Sequence, residues 1–255
     1  MKSPKEIEDF DRSNGNKLRK LWFVGDPHNR FEHVEAILQE AVETGSAPRW
    51  IVFLGDQDFE GQSMRDVVAH LKLIHPDVQV AYIHGNHDAD THEKWALLHN
   101  CVDAVALHGR VTELDGIRVA GLGGNFMGRV WAPPKEVMIA TRKQGLTKRP
   151  SGKQANPKLN GAIYPDEYLR LASQKADILV THEAPSCHHH GWPVLDDLAR
   201  SMGVYRVFHG HTHDDLTCMY ESKMESQGFD VRAVNCGYVK DGLGRWVAST
   251  QKDQR

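Results

Sequence analysis

Apolar residues fall along this chain in short runs that end abruptly in glycine and acid. Leu21-Trp22-Phe23-Val24 reads as a buried strand, closed by Gly25-Asp26-Pro27. Phe31, Val34, Leu38 and Ala41 follow at helical spacing, and the predicted helix stops near Gly45. Trp50-Ile51-Val52-Phe53-Leu54 is a second strand ending in Gly55-Asp56. A helix from Met64 to Ile74 stops at Pro76, and a third strand runs from Val78 to Ile83. Strands alternating with amphipathic helices predict an α/β core with a largely parallel sheet.

The pattern changes after Val105. Val111 to Leu122 alternates around Asp115-Gly116, a hairpin signal. Tyr164-Pro165-Asp166 opens a helix with Pro in its first turn. Strands resume at Ile178-Leu179-Val180, at Val204 to Phe208 and at Val231 to Val234. Residues 1–18 read as a polar, frayed leader ahead of one domain spanning 19–250. Residues 124–161 show little periodicity, and eight Lys/Arg face one Glu between Arg129 and Lys158. That stretch is expected to be a solvated loop, with a cap that draws in an anionic substrate as the functional reading.

At 255 residues the chain buries a full core. Its net charge of -3 argues against a general nucleic-acid binder. With no export signal and no apolar span of membrane length, a cytoplasmic location is expected and no membrane partner. Cys101, Cys187, Cys218 and Cys236 form no C-x-x-C pair and are expected to be reduced and buried as small hydrophobes rather than ligands. The chain also carries sixteen histidines, many beside Asp, Asn or Gly.

Five apolar strands each end in residues able to bind metal: Gly25-Asp26-Pro27-His28, Gly55-Asp56, Gly85-Asn86-His87-Asp88, Thr181-His182-Glu183 and His209-Gly210-His211-Thr212-His213. An Asp after a strand is commonly a turn former or N-cap, and a lone His-x-His is as readily a solvated loop. Ligand sites of open α/β sheets lie just beyond the carboxyl ends of the strands. Oxygen and imidazole donors at five such tips have no shared structural cause, so a metal centre leads.

The ordered set Asp-x-His, Gly-Asp, Gly-Asn-His-Asp, His, Gly-His-x-His resembles the calcineurin-like metallophosphoesterase superfamily from residue 21 to about 240. The resemblance implies a two-sheet αββα sandwich with two metals on one edge. It implies that Asp26, His28 and His213 hold the first, that Asn86, His182 and His211 hold the second, and that Asp56 bridges them. His87 would protonate the departing oxygen, and Asp88 would hold its imidazole in the useful tautomer. The implied reaction is attack of water on a phosphate ester, with two divalent ions drawn from Mn, Fe, Zn or Ni, Mn leading as activator.

Protein Ser/Thr phosphatases of that superfamily place an Arg after the second motif and another just before Gly-Asn-His. Here Gln57-Asp58-Phe59-Glu60 and His84 stand in those places. The chain is therefore more similar to the bacterial phosphodiesterase-like branch, which implies a small phosphate ester or nucleotide-like substrate. Alternatives are a protein phosphatase or a nuclease of the same superfamily. A non-catalytic scaffold is disfavoured because all seven ligands and His87 are present. Arg30 reads as a surface residue at a helix start, Cys187-His188-His189-His190 as a solvated rim, and Asn235-Cys236-Gly237 as a turn near the site. No oligomeric state follows from the sequence.

Overall fold

A computed structural model describes residues 1–147 and 155–247, without the side chains of Cys218 and Glu221. Strands β1 (Leu21–Val24), β2 (Trp50–Phe53), β7 (Ile178–Thr181) and β8 (Arg206–His209) are buried at every position. Strands hidden on both faces need cover on each side, here helices on one face and another sheet on the other. With β3 (Gln79–Tyr82), β4 (Ala104–Ala106) and β10 (Val239–Asp241), the first pair builds a sheet in the order β10-β1-β2-β3-β4. With β5 (Arg110–Leu114), β6 (Ile117–Leu122) and β9 (Asp230–Ala233), the second pair builds β5-β6-β7-β8-β9. Neighbours are parallel, apart from β10 against β1 and the β5–β6 hairpin over Asp115-Gly116.

Alternation along β1 shows how the layers form. Leu21 and Phe23 face the second sheet, and Phe23 stacks on Phe208 with centroids 3.9 Å apart. Trp22 and Val24 face outward onto helices α2 (Glu32–Glu43) and α3 (Met64–Ile74). Across the molecule, α6 (Pro165–Ala172) and α7 (Pro193–Met202) cover the outer face of the second sheet. The result is the αββα sandwich. Val24, Phe53 and Tyr82 are in register, as are Thr181 and His209, so the carboxyl ends of each sheet finish level.

Two sequence expectations are corrected. The supposed frayed leader is α1 (Pro4–Leu18), started by a Ser3–Glu6 capping box with Pro4 in its first turn. Its Phe10 stacks on Tyr205 at 4.1 Å, and Asp11 pairs with buried Arg206 at 2.9 Å. Arg206 also holds Asp230 at 2.5 Å and donates to the Gly242 carbonyl at 2.7 Å. The helix is polar on average but has a buried stripe of Ile7, Phe10 and Leu18.

The segment 124–161 is not simply a solvated loop. Val130 packs with Ala162 and Tyr164, joined by Trp131, Ile139 and Leu159. Helix α5 (Arg142–Leu146) sends Arg142 to Glu167 at 2.5 Å and to the carbonyls of Asn160 and Ala162 at 2.7 and 3.2 Å. His108 Nε2 lies 3.1 Å from the same Glu167. Of its basic residues, Lys148, Arg149 and Lys153 lie outside the described residues, as do residues 248–250 of the expected domain. Among the described residues no helix is long and apolar enough to cross a membrane.

Candidate metal centre

The five strand tips meet at one edge of the sandwich, and backbone hydrogen bonds tie them together. His28 N donates to the Asp56 carbonyl at 3.0 Å and Asn29 N to the Gln57 carbonyl at 2.8 Å, which pins the first loop to the second. His87 N donates to Asp56 Oδ1 at 2.8 Å, and His211 N to Asp26 Oδ2 at 2.7 Å across the two sheets. Among the described residues, eight other than Gly have positive φ, and all but Asp115 sit in these loops. Five of them are expected donors: Asp26, His28, Asp56, His211 and His213. Such backbone is costly and concentrates at functional sites. Close approach also explains a motif glycine: a Cβ on Gly85 would lie 2.2 Å from Asp56 Oδ1.

All seven expected donors converge. Donor atoms of Asp56, His182 and His211 lie within 4.8 Å of one another, and Asn86 Oδ1 is 3.1 Å from His182 Nε2. His182 Nδ1 lies 3.0 Å from the Leu54 carbonyl; donating there fixes the tautomer and turns the Nε2 lone pair towards Asn86 and Asp56. His28 Nε2 and His213 Nε2 are 3.1 Å apart, and Asp26 Oδ2 is 3.9 Å from His213. Asp26 is fully buried, and its Oδ1 has no hydrogen-bond partner, with His182 Nδ1 3.5 Å away. A buried carboxylate oxygen left bare among imidazoles fits a cation position.

Electrostatics agree. Burial pulls His182 down, but the charges of Asp56 and Asp26 overcome it and carry the imidazole up to about 10. Burial pushes Asp26 up to about 7, against His182 and with Asp56 adding repulsion. Burial and the neighbouring His182 pull His211 down to about 4, which leaves it a neutral donor. The buried acids Asp56 and Asp26 thus favour positive charge at His182. A divalent ion would supply that charge and displace the proton. Oxygen and imidazole donors suit Mn, Fe, Zn or Ni, and the residues present fit such ions.

Other placements differ from expectation. Asp88 does not touch the His87 ring: its buried carboxylate accepts from Gly85 N at 2.8 Å and Asp58 N at 2.7 Å. Burial, with Asp56 near, pushes Asp88 up to about 7. Asp90 holds the ring instead, its Oδ2 2.9 Å from His87 Nδ1. Lys94, from α4 (His92–His99), pairs with Asp58 and with Glu60 at 3.3 Å, and Lys158 reaches Asp90 at 3.0 Å. Sequence reasoning gave Asp90 and Lys94 no role and read Lys158 only as part of the basic segment. His84 is buried among the rings of Trp95, His99 and His108.

The His188–His190 rim is only partly solvated, because His188 is buried and pairs with Asp214 at 3.1 Å. Cys101 and Cys187 are buried as expected, whereas Cys236 Sγ lies within 4.8 Å of donor atoms of His28 and His213. The Cys218 side chain lies outside the described residues.

Comparison with known proteins places this chain in a family. The family model for calcineurin-like phosphoesterases matches residues 19–215. An uncharacterized protein of Haemophilus influenzae is 31% identical over 241 residues, covering 92% of this chain and 99% of the relative. A solved crystal structure superposes with a TM-score of 0.50 at 14% identity, covering 88% of this chain and 95% of that one. That likeness concerns the fold alone.

Proposed function

This chain belongs to the calcineurin-like phosphoesterase family of phosphoric ester hydrolases, and on that premise we propose that it hydrolyses small phosphodiesters with two divalent cations. Asp26, His28 and His213 would hold the first ion, Asn86, His182 and His211 the second, with Asp56 shared between them. When bound, such a pair lowers the pKa of water and neutralises charge on the phosphate. The observation that carries this reading is the meeting of donors from both sheets at one edge: Asp56 with His182 and His211, and His28 with His213, with the buried Asp26 Oδ2 3.9 Å from His213.

The remaining steps belong to the chain's own side chains. His87 is half-exposed beside the donors, free to meet a substrate, and Asp90 orients its ring. Burial lowers the His87 pKa, but the hydrogen bond to Asp90 and the charges of Asp56, Asp90 and Asp58 together outweigh it, and the net shift is upward, favouring the protonated ring. His87 then gives a proton to the oxygen leaving phosphorus and regains one from solvent. Asp88 fixes the turn that presents His87, through the amides of Gly85 and Asp58.

Diesters are favoured because no arginine fork stands at the second or third motif, and Lys94 is already committed to Asp58 and Glu60. A dianionic monoester needs more such clamping than a monoanionic diester. Metal analysis of the purified protein, with rates on bis-nitrophenyl phosphate and nitrophenyl phosphate, tests the proposal. About two ions per chain and a kcat/KM for the diester at least equal to that for the monoester are expected. A strong monoester preference, or efficient turnover of phosphopeptides, would move the protein to the phosphatase reading.

A further inference from the structure

Cys236 stands outside the seven-donor set, yet its sulfur lies beside His28 and His213. It follows β9 in the turn Asn235-Cys236-Gly237. A bridge between Gly25 and Cys236, and Gly237 N donating to the Gly25 carbonyl at 2.7 Å, bind that turn to the loop carrying Asp26 and His28. The thiol donates to the Asp26 carbonyl at 3.0 Å, and Arg30 Nη2 stands 4.0 Å from Sγ. The sulfur is therefore held in place and does not swing through solvent.

Two independent observations point at a ligand here. Cys236 Sγ and ring nitrogens of His28 and His213 lie within 4.8 Å of one another. Donors to a single ion at bond lengths of ~2.0–2.3 Å stand roughly 3–4.5 Å apart, so only a small contraction is needed. The second observation is the fully buried Asp26, whose Oδ2 is 3.9 Å from His213, while its Oδ1, without a hydrogen-bond partner, lies 3.5 Å from His182 Nδ1.

We infer that Cys236 is a further donor to the first metal position, a thiolate that selects thiophilic ions such as zinc or iron there over manganese. The inference rests on the metal-centre reading above. Coordination forms one metal–sulfur bond and releases the thiol proton to water. Asn86, His182 and His211 offer the second position oxygen and nitrogen alone, so the two positions prefer different ions. A soft sulfur beside imidazoles favours zinc or iron, whereas oxygen-rich sites suit manganese. The pair is then expected to be mixed when both metals are supplied.

The test uses the full chain loaded with cobalt. Wild type should show a thiolate-to-cobalt charge-transfer band in the near ultraviolet. Cys236→Ser should lose the band yet keep its visible cobalt spectrum, and Cys101→Ser, altered in a separate buried cluster, should retain it. X-ray absorption on the zinc-loaded wild type should find one sulfur at ~2.3 Å, a result independent of whether any variant folds. In competition, Cys236→Ser should lose about tenfold or more of the zinc-over-manganese preference. Full metal uptake with neither band nor sulfur scatterer overturns this inference and leaves the hydrolase reading standing. No metal uptake at all overturns both.

Discussion

His87 Nδ1 lies 2.9 Å from Asp90 Oδ2, while the adjacent Asp88 turns away into the amides of Gly85 and Asp58. The turn His87–Ala89 is a 3-10 helix, in which residues three apart share a side. Asp90→Asn is expected to keep metal content and lower kcat about 10- to 100-fold, part of the ~10²–10⁴ that general acid catalysis supplies. Esters with basic leaving groups should lose most. Metal analysis beside a leaving-group series reads this out, and an unaltered rate on a basic leaving group would deny Asp90 its orienting role.

His87→Ala removes the acid itself. Because its ring is not among the seven proposed donors, both ions should remain while kcat falls about 10²–10⁴-fold. Nitrophenolate leaves with little protonation, so nitrophenyl esters should be the least affected. Equal losses across leaving groups would count against the acid role.

Asp56→Asn should be the most damaging loss among the donors. Its Oδ1 already accepts from His87 N, and its Oδ2 faces His182 Nε2 at 3.4 Å. Metal content is expected to fall to one ion or none, and turnover to vanish. Two retained ions with near-normal rates would refute the shared position of this carboxylate.

Glu167 gives a prediction independent of the metals. Burial raises its pKa, but His108 and then Arg142 win, bringing the carboxyl down to about 2 from 4.5. A depressed folded pKa stabilises the fold fully above the unfolded value and loses that contribution as pH falls from about 4.5 to about 2. Urea unfolding with chelator present should find Glu167→Gln less stable than wild type by about 2 kcal/mol at pH 7. The gap should narrow at pH 3, and a gap that stays constant would exclude the linkage.

The parts of this fold that repeat were legible in the sequence. The helix from Met64 to Ile74, the Asp115-Gly116 hairpin and the helix opening at Pro165 stand where periodicity and turn chemistry place them. The convergence of the seven proposed donors was legible because each lies at or just beyond the carboxyl end of a strand. Helix α1 was missed although Ser3-Pro4 with Glu6 is a start signal, since its apolar stripe is sparse. Asp90 depended on the sense of one short turn. Cys236 depended on contacts with His28 and His213, the former more than two hundred positions away, which no local pattern encodes. The 124–161 segment packs through irregularly spaced residues, so periodicity was silent there.

The proposed donors are divided between the layers: Asp26, His28, Asp56 and Asn86 follow strands of the first sheet, and His182, His211 and His213 follow strands of the second. Neither sheet holds a complete set. The centre is thus a gauge of how the two sheets seat on one another, with Phe23 on Phe208 at 3.9 Å in the layer between them. A small slide of that contact would part the donors while every strand kept its own hydrogen bonds. On heating, release of the ions should therefore run ahead of the loss of secondary structure.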